Sequence, residues 1–183
     1  MATYIILAIV VVVVLWVVGA FNGLVRARNR VKEAWSDINV QLRRRHDLIP
    51  NLVETVKGYV AHEAGVLEAV TKARTEAVAA GSLAQKGQAE NTLSGALGKL
   101  FALSEAYPTL KANENFMKLQ DELTDTEDKI QASRRFYNTN VMDFNTKLEV
   151  FPTNLIASSL GFTREELFQL DFAEEAALPQ VKF

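Results

Sequence analysis

Residues 22–63 read NGLVRARNRVKEAWSDINVQLRRRHDLIPNLVETVKGYVAHE, and the spacing of their apolar side chains decides the fold. Val31, Trp35, Ile38, Leu42, Ile49, Leu52, Val56 and Tyr59 recur at steps of three, four and seven, the separations at which side chains share one helical face, as in a coiled coil. Arg45 is the one polar interruption of this stripe. Proline inside a helix removes a hydrogen bond and clashes with the carbonyl four residues earlier, so Pro50 either kinks one long helix or follows a restart capped by Asp47. Because the stripe keeps its register across Pro50, one long kinked helix is the expectation.

Working toward the N-terminus, residues 4–21 read YIILAIVVVVVLWVVGAF, and no charged side chain precedes Arg26. At ~1.5 Å per residue this run approaches the ~30 Å of a bilayer's hydrocarbon layer, so it is read as a transmembrane helix. A cleaved signal peptide would carry basic residues ahead of a shorter apolar run, whereas the first three residues, MAT, carry none. Seven basic residues lie between Arg26 and Arg45. By the positive-inside rule they place the rest of the chain in the cytoplasm, with residues 1–3 outside a single-pass inner membrane helix. Arg26, Arg28, Arg30 and Lys32 are the candidates for lipid headgroups. Arg43 lies ~30 Å along a straight helix from the membrane end, well beyond the ~8 Å screening length, so the Arg43–Arg45 cluster is better suited to protein contacts.

Toward the C-terminus a second stripe runs through Phe116, Leu119, Leu123, Ile130, Tyr137, Val141, Phe144, Leu148 and Phe151, predicting a helix from Thr109 to Glu149. Ala64–Ala80 and Leu83–Ala106 predict two shorter helices separated by Gly81 and Ser82, with Pro108 opening the next. Four amphipathic helices bury their faces only against one another, giving an all-α bundle over residues 22–152 whose first helix continues out of the membrane. Beyond Pro152 the pattern suggests a turn of helix ending at Gly161. Thr163-Arg-Glu-Glu166 then has the form of a capping box, so residues 153–172 are expected to be short and helical. Residues 173–183 show no helical stripe and are expected to be extended or disordered. The alternation at Phe168, Leu170 and Phe172 and the apolar Leu178, Val181 and Phe183 suit a chain end that reaches a groove, in its own subunit or in a neighbour.

Composition narrows the chemistry. Lys and Arg number 20 against 22 Asp and Glu, a net charge of -2, which gives no basic excess for nucleic acid. With no Cys and only His46 and His62, thiolate metal sites and a Cys nucleophile are excluded. A bundle di-metal site needs Glu-x-x-His on two helices, but Arg43 and Tyr59 stand three residues before the two histidines. Neither a Gly-x-Ser-x-Gly elbow nor a phosphate loop is present, so no enzyme activity, catalytic residue, cofactor or metal is expected. The polar residues bordering the second stripe, Glu127, Arg134, Asn138 and Asn145, need partners where they are buried. Arg44, Arg45, Asp47 and Glu54 on the first helix are available. This set reads as an internal network fixing helix register or as a cleft for partner docking.

The segment AWSDINVQLRRRHDLIPNLVETVKGY, residues 34–59, resembles the LemA family of bacterial membrane proteins. Ala73-Arg74, Glu105-Ala-Tyr-Pro108, Leu110-Lys-Ala-Asn113, Tyr137-Asn138, Phe151-Pro152 and Gly161-Phe162 extend the resemblance over nearly the whole chain. Arg43 is a departure, since Lys is more usual there. The resemblance implies an N-terminal membrane helix and an up-and-down four-helix bundle of bromodomain-like arrangement, and no assigned activity. Together with the residues it leads to two functional expectations. One is a membrane-anchored scaffold or adaptor acting by self-association, as a homo-oligomer, or by binding other membrane proteins. The other is an envelope sensor or regulator whose bundle binds a small ligand or a signalling protein.

Overall fold

The computed structural model describes residues 1–60 and 63–169. Among them the chain is all-helical, without a strand: α1 (Ala2–Lys57), α2 (Ala64–Ala79), α3 (Leu83–Ser104), α4 (Pro108–Lys111) and α5 (Glu114–Glu149), followed by a 3-10 turn at Thr153–Leu155. α1 passes through Pro50 without a restart at Asp47. α3 begins with a complete capping box. The Ser82 hydroxyl accepts from the Gln85 backbone, and the Gln85 side chain accepts from the Ser82 backbone, so two N–H groups that the helix start leaves unpaired are satisfied.

Two expectations are corrected. The helix expected over Thr109–Glu149 is divided, because Asn113 Oδ1 accepts the Phe116 backbone N–H at 2.9 Å and caps a new start. A side-chain acceptor three residues ahead of a donor competes with helix continuation. Nor does Thr163–Glu166 open a helix. Its backbone is taken by side chains of α5: Asn145 accepts from the Glu165 N–H at 3.0 Å and donates to the Glu165 carbonyl at 2.9 Å, and the Tyr137 hydroxyl donates to the Glu166 carbonyl at 2.9 Å. Gly161, at φ 76°, supplies the left-handed residue that turns the chain into this segment. Residues 173–183, expected to be extended or disordered, lie outside the described residues.

The chain divides into two compact units. Unit 1 comprises residues 1–38 and 133–167. Leu24, Ala27, Val31, Ala34 and Ile38 of α1 are buried there, as are Tyr137, Val141, Phe144 and Leu148 of α5, with Ala157 and Phe162 beyond it. Trp35 packs against Tyr137 with ring centroids 5.5 Å apart and the rings tilted by 57°, and Phe162 contacts both Phe21 at 5.8 Å and Phe144 at 6.4 Å. The start of α1 is different. An 18-residue window of mean hydropathy 3.0 has none of its residues buried. This helix is long and apolar enough to cross a membrane once.

Unit 2 takes the described residues of 39–132 with Phe168 and Gln169. Its core draws on all five helices: Ile49, Leu52 and Val56; Leu67, Val70, Ala73 and Ala77; Leu93, Leu97 and Leu100; Leu110; and Phe116 and Leu123. Phe168 is also buried in unit 2, where it and Gln169 lie close over Gly87 of α3. A β-carbon on Gly87 would collide with the Gln169 carbonyl oxygen, so only glycine permits this approach.

Candidate functional site

Two apolar stripes in unit 2 each contain one charged residue. On α1 the buried positions are Leu42, Arg45, Ile49, Leu52 and Val56, and on α3 they include Glu90, Leu93, Leu97 and Leu100. Arg45 and Glu90 are therefore aimed into the core by the same helical spacing that buries their neighbours. Each side chain is only 2% exposed, and they form an ion pair. Arg45 Nη1 also donates to Ser94 Oγ at 3.0 Å and to Glu127 Oε2 at 2.5 Å, so one guanidinium joins α1, α3 and α5. His46 Nε2 lies 2.8 Å from the second Glu90 oxygen. An ionised carboxylate only accepts, so that nitrogen carries the proton. Arg45 Nε, also buried, has no hydrogen-bond partner among the described residues.

Burial alone pushes the Glu90 carboxyl up, but the hydrogen bond from His46 and the positive charge of Arg45 outweigh it and hold Glu90 below its ordinary value. The arrangement also bears on metals. The Arg45 guanidinium occupies the space between Glu90 and Glu127 that a cation would need. Among the described residues no group of three or more His, Asp or Glu is placed to hold a metal ion.

Pro50 contributes through an atom it leaves unpaired. A residue at position 50 would normally donate its N–H to the carbonyl of residue 46, and proline has no N–H to give. Arg74 of α2 supplies the missing donor, with its Nε 2.7 Å from the His46 carbonyl oxygen. The proline thus becomes a docking point for a second helix. Beside it lies a groove of about 370 Å³ lined by Arg43, His46, Asp47, Arg74, Lys86 and Glu90 among others. A second cavity, of about 290 Å³, has Arg45, Ser94 and Glu127 in its wall with the apolar Leu97, Phe101 and Leu123.

Of the polar residues singled out in the sequence, the structure brings Arg45 and Glu127 together. Arg44 is exposed and lies 3.6 Å from Asp125, while Glu54 is exposed and pairs with Lys57 at 3.7 Å. Asp47 is exposed on the rim of the larger groove. Arg134, Asn138 and Asn145 belong to unit 1, where they are half-buried, and Asn145 holds Glu165. In the same unit Arg26, Arg30 and Lys32 are exposed, whereas Arg28 is half-buried with its guanidinium 5.1 Å from the centre of the Phe162 ring. Glu90, His46 and Ser94 were absent from that polar set. Glu90 could have been found by the signal that marks Arg45, a charge at a stripe position.

Residues 34–183 match the model described as LemA family. The chain belongs to the LemA family. It is 30% identical over 156 residues to Protein LemA of Metamycoplasma hominis, covering 83% of this chain and 70% of that protein. It is also 27% identical over 175 residues to Magnetosome protein MamQ 2 of Paramagnetospirillum magneticum, and 26% identical over 174 residues to Magnetosome protein MamQ of Magnetospirillum gryphiswaldense. Each of these takes in 81% of this chain, which spans 64% of the length of the MamQ proteins. LemA membership and the apolar start of α1 together suggest a membrane-associated helical protein whose molecular activity is unassigned.

Proposed function

We propose that this LemA protein is a single-pass scaffold or adaptor of the bacterial inner membrane, acting by association with itself or with other membrane proteins. In this reading residues 1–3 lie outside, residues 4–21 cross the bilayer, and the cytoplasmic helices form an up-and-down four-helix bundle of bromodomain-like arrangement. The observation that carries it is α1 itself. One unbroken helix contains both an exposed, wholly apolar window and the buried stripe Leu42–Val56, so the anchor and the packed helices share a single element. The basic residues Arg26 to Arg45 lie on one flank of the anchor only, which supports the cytoplasmic orientation. The MamQ relatives are named as magnetosome proteins, and neither name carries an enzyme activity. The test is native mass spectrometry of the full-length protein extracted in detergent, combined with crosslinking in intact membranes. A defined homo-oligomer or a stoichiometric complex with another membrane protein is expected. A monomer that crosslinks to nothing overturns the reading.

A second reading, an envelope sensor or regulator that binds a small ligand, is favoured by the groove beside Pro50. Arg43, Arg74, Lys86 and His46 line it beside the carboxylates of Asp47 and Glu90, so donors for an anionic group outnumber the acidic side chains. A small anionic molecule that copurifies with the monomer and is lost in Arg74→Ala would favour it.

A further inference from the structure

Unit 1 contains its own measure of depth. On α1, Trp35 meets Tyr137, and Phe21 meets the Phe162 ring, which in turn packs on Phe144. Numbers rise along α5 as they fall along α1, so the two segments run antiparallel. Twelve residues separate Tyr137 from the end of α5 at Glu149, and fourteen separate Trp35 from Phe21, about 18 and 21 Å at ~1.5 Å per residue. The end of α5 and the turn after it therefore come level with Phe21, the last residue of the apolar run. Leu24 and Leu148, both buried, fit the same pairing. Shielding of the run itself begins at Val17 and Ala20, which are half-buried where the residues before them are exposed.

At that level the turn presents apolar side chains outward. Val150 is 47%, Phe151 77% and Leu155 67% exposed. Hydrogen bonds from the Asn154 N–H to the Val150 carbonyl and from the Leu155 N–H to the Pro152 carbonyl gather them into one compact turn. A grouped apolar surface of this kind on a small domain marks a contact with something less polar than water. Exposed cations stand just beyond it on α1, at Arg26 and Arg30, at the level suited to anionic headgroups.

We propose that the 150–155 turn is a second membrane contact, with Val150, Phe151 and Leu155 entering the interfacial layer of the same bilayer that α1 crosses. The proposal rests on the anchor reading of α1 and extends it. The occupant is lipid because the surface is continuous in level with the point where α1 leaves the bilayer, and an aromatic ring beside cations is the chemistry of that interface. The contact would hold unit 1 against the membrane at two points and so restrict rotation about the anchor.

The chain has no cysteine, so single-cysteine variants report one position each. Phe151→Cys and Leu155→Cys carry an environment-sensitive fluorophore. Val12→Cys in the anchor and the exposed Glu76→Cys of α2 are the lipid and water references. The full-length protein is reconstituted in phosphatidylcholine vesicles containing phosphatidylglycerol, with or without phosphatidylcholine bearing nitroxides, near the headgroup to reach the interface and deep in the acyl chain to reach position 12. Labels at 151 and 155 should shift to the blue and lose emission with the nitroxide lipid, while the label at 76 does neither. If position 12 is quenched but 151 and 155 behave like 76, the second contact is refuted and the anchor stands. A blue shift at 151 and 155 without quenching refutes the lipid and points to a second copy of the chain. If position 12 is also unquenched, the anchor reading fails and this proposal fails with it.

Discussion

Replacing Arg45 with methionine tests the buried network most directly. Both Arg45 and Glu90 side chains are 2% exposed, so Arg45→Met leaves the Glu90 carboxylate in the core with His46 as its remaining side-chain partner. Breaking a buried pair by removing one member costs about 3–5 kcal/mol, because the other charge stays uncompensated. Glu127 contributes less to this penalty, being 28% exposed and open to water. At ~2–4 °C per kcal/mol for a domain of this size, the melting temperature should fall by about 6–20 °C. Arg45→Met combined with Glu90→Leu removes both charges and fills the space with apolar atoms, so most of the loss should be recovered. The assay is thermal and urea unfolding of the full-length variants, followed by circular dichroism in one detergent, arranged as a double-mutant cycle. A loss under about 1 kcal/mol for Arg45→Met, or a double variant as unstable as the two single losses added, refutes the claim that this pair is a coupled buried unit.

Other expectations follow from single contacts. Arg74→Ala should cost about 1–3 kcal/mol by leaving the His46 carbonyl unpaired, and less in a Pro50→Ala background where residue 50 can donate to it; urea titration of all four chains measures the difference. Gly87→Ala should cost about 1–3 kcal/mol by driving a methyl into the Gln169 carbonyl, with hydrogen exchange at residues 168–169 accelerating first. Glu90 is held below its ordinary 4.5, so folding favours its ionised form. Its stabilisation is complete above that value and is lost as pH falls below it. Melting temperatures across the acid range should show this slope in the wild type and a flatter one in Glu90→Gln. A reporter fused after Phe183 should behave as cytoplasmic, and activity on the outer side of the membrane would reverse the orientation.

The helices were legible because period governs them. The α1 stripe and the α5 stripe repeat over many turns, and their buried faces follow the spacing except at Tyr59 and Phe151, past the helix ends, which are exposed, and at Trp35 and Leu119, which are half-buried. Boundaries were legible where the deciding group is local, as at Ser82 with Gln85. They were not legible where a distant group decides. Thr163-Arg-Glu-Glu166 has the local form of a helix start, yet Tyr137 and Asn145 take its backbone from about 20 residues or more away. Asn113 is the converse case. It lies just ahead of the stripe that begins at Phe116, and nothing in that stripe marks the cap that separates Pro108–Lys111 from Glu114–Glu149.

The site was half legible for a related reason. Arg45 stands out in its stripe because its neighbours are large and strongly apolar. Glu90 occupies the equivalent place on α3, but there the stripe begins only at Leu93 and the residues before it are Gly87 and Lys86, so the interruption looks like an ordinary exposed surface. Pairing a charge in one stripe with a charge of opposite sign in another restores the lost signal, because neither can be buried alone without a cost of several kcal/mol. Pro50 carries a second signal of this type. A proline that keeps a helix's register exposes one identifiable carbonyl, that of the residue four before it. Where that residue is buried or half-buried, as His46 is, a donor from another element must reach it. The sequence therefore names the acceptor, and only the identity of the donor, Arg74, had to come from the fold.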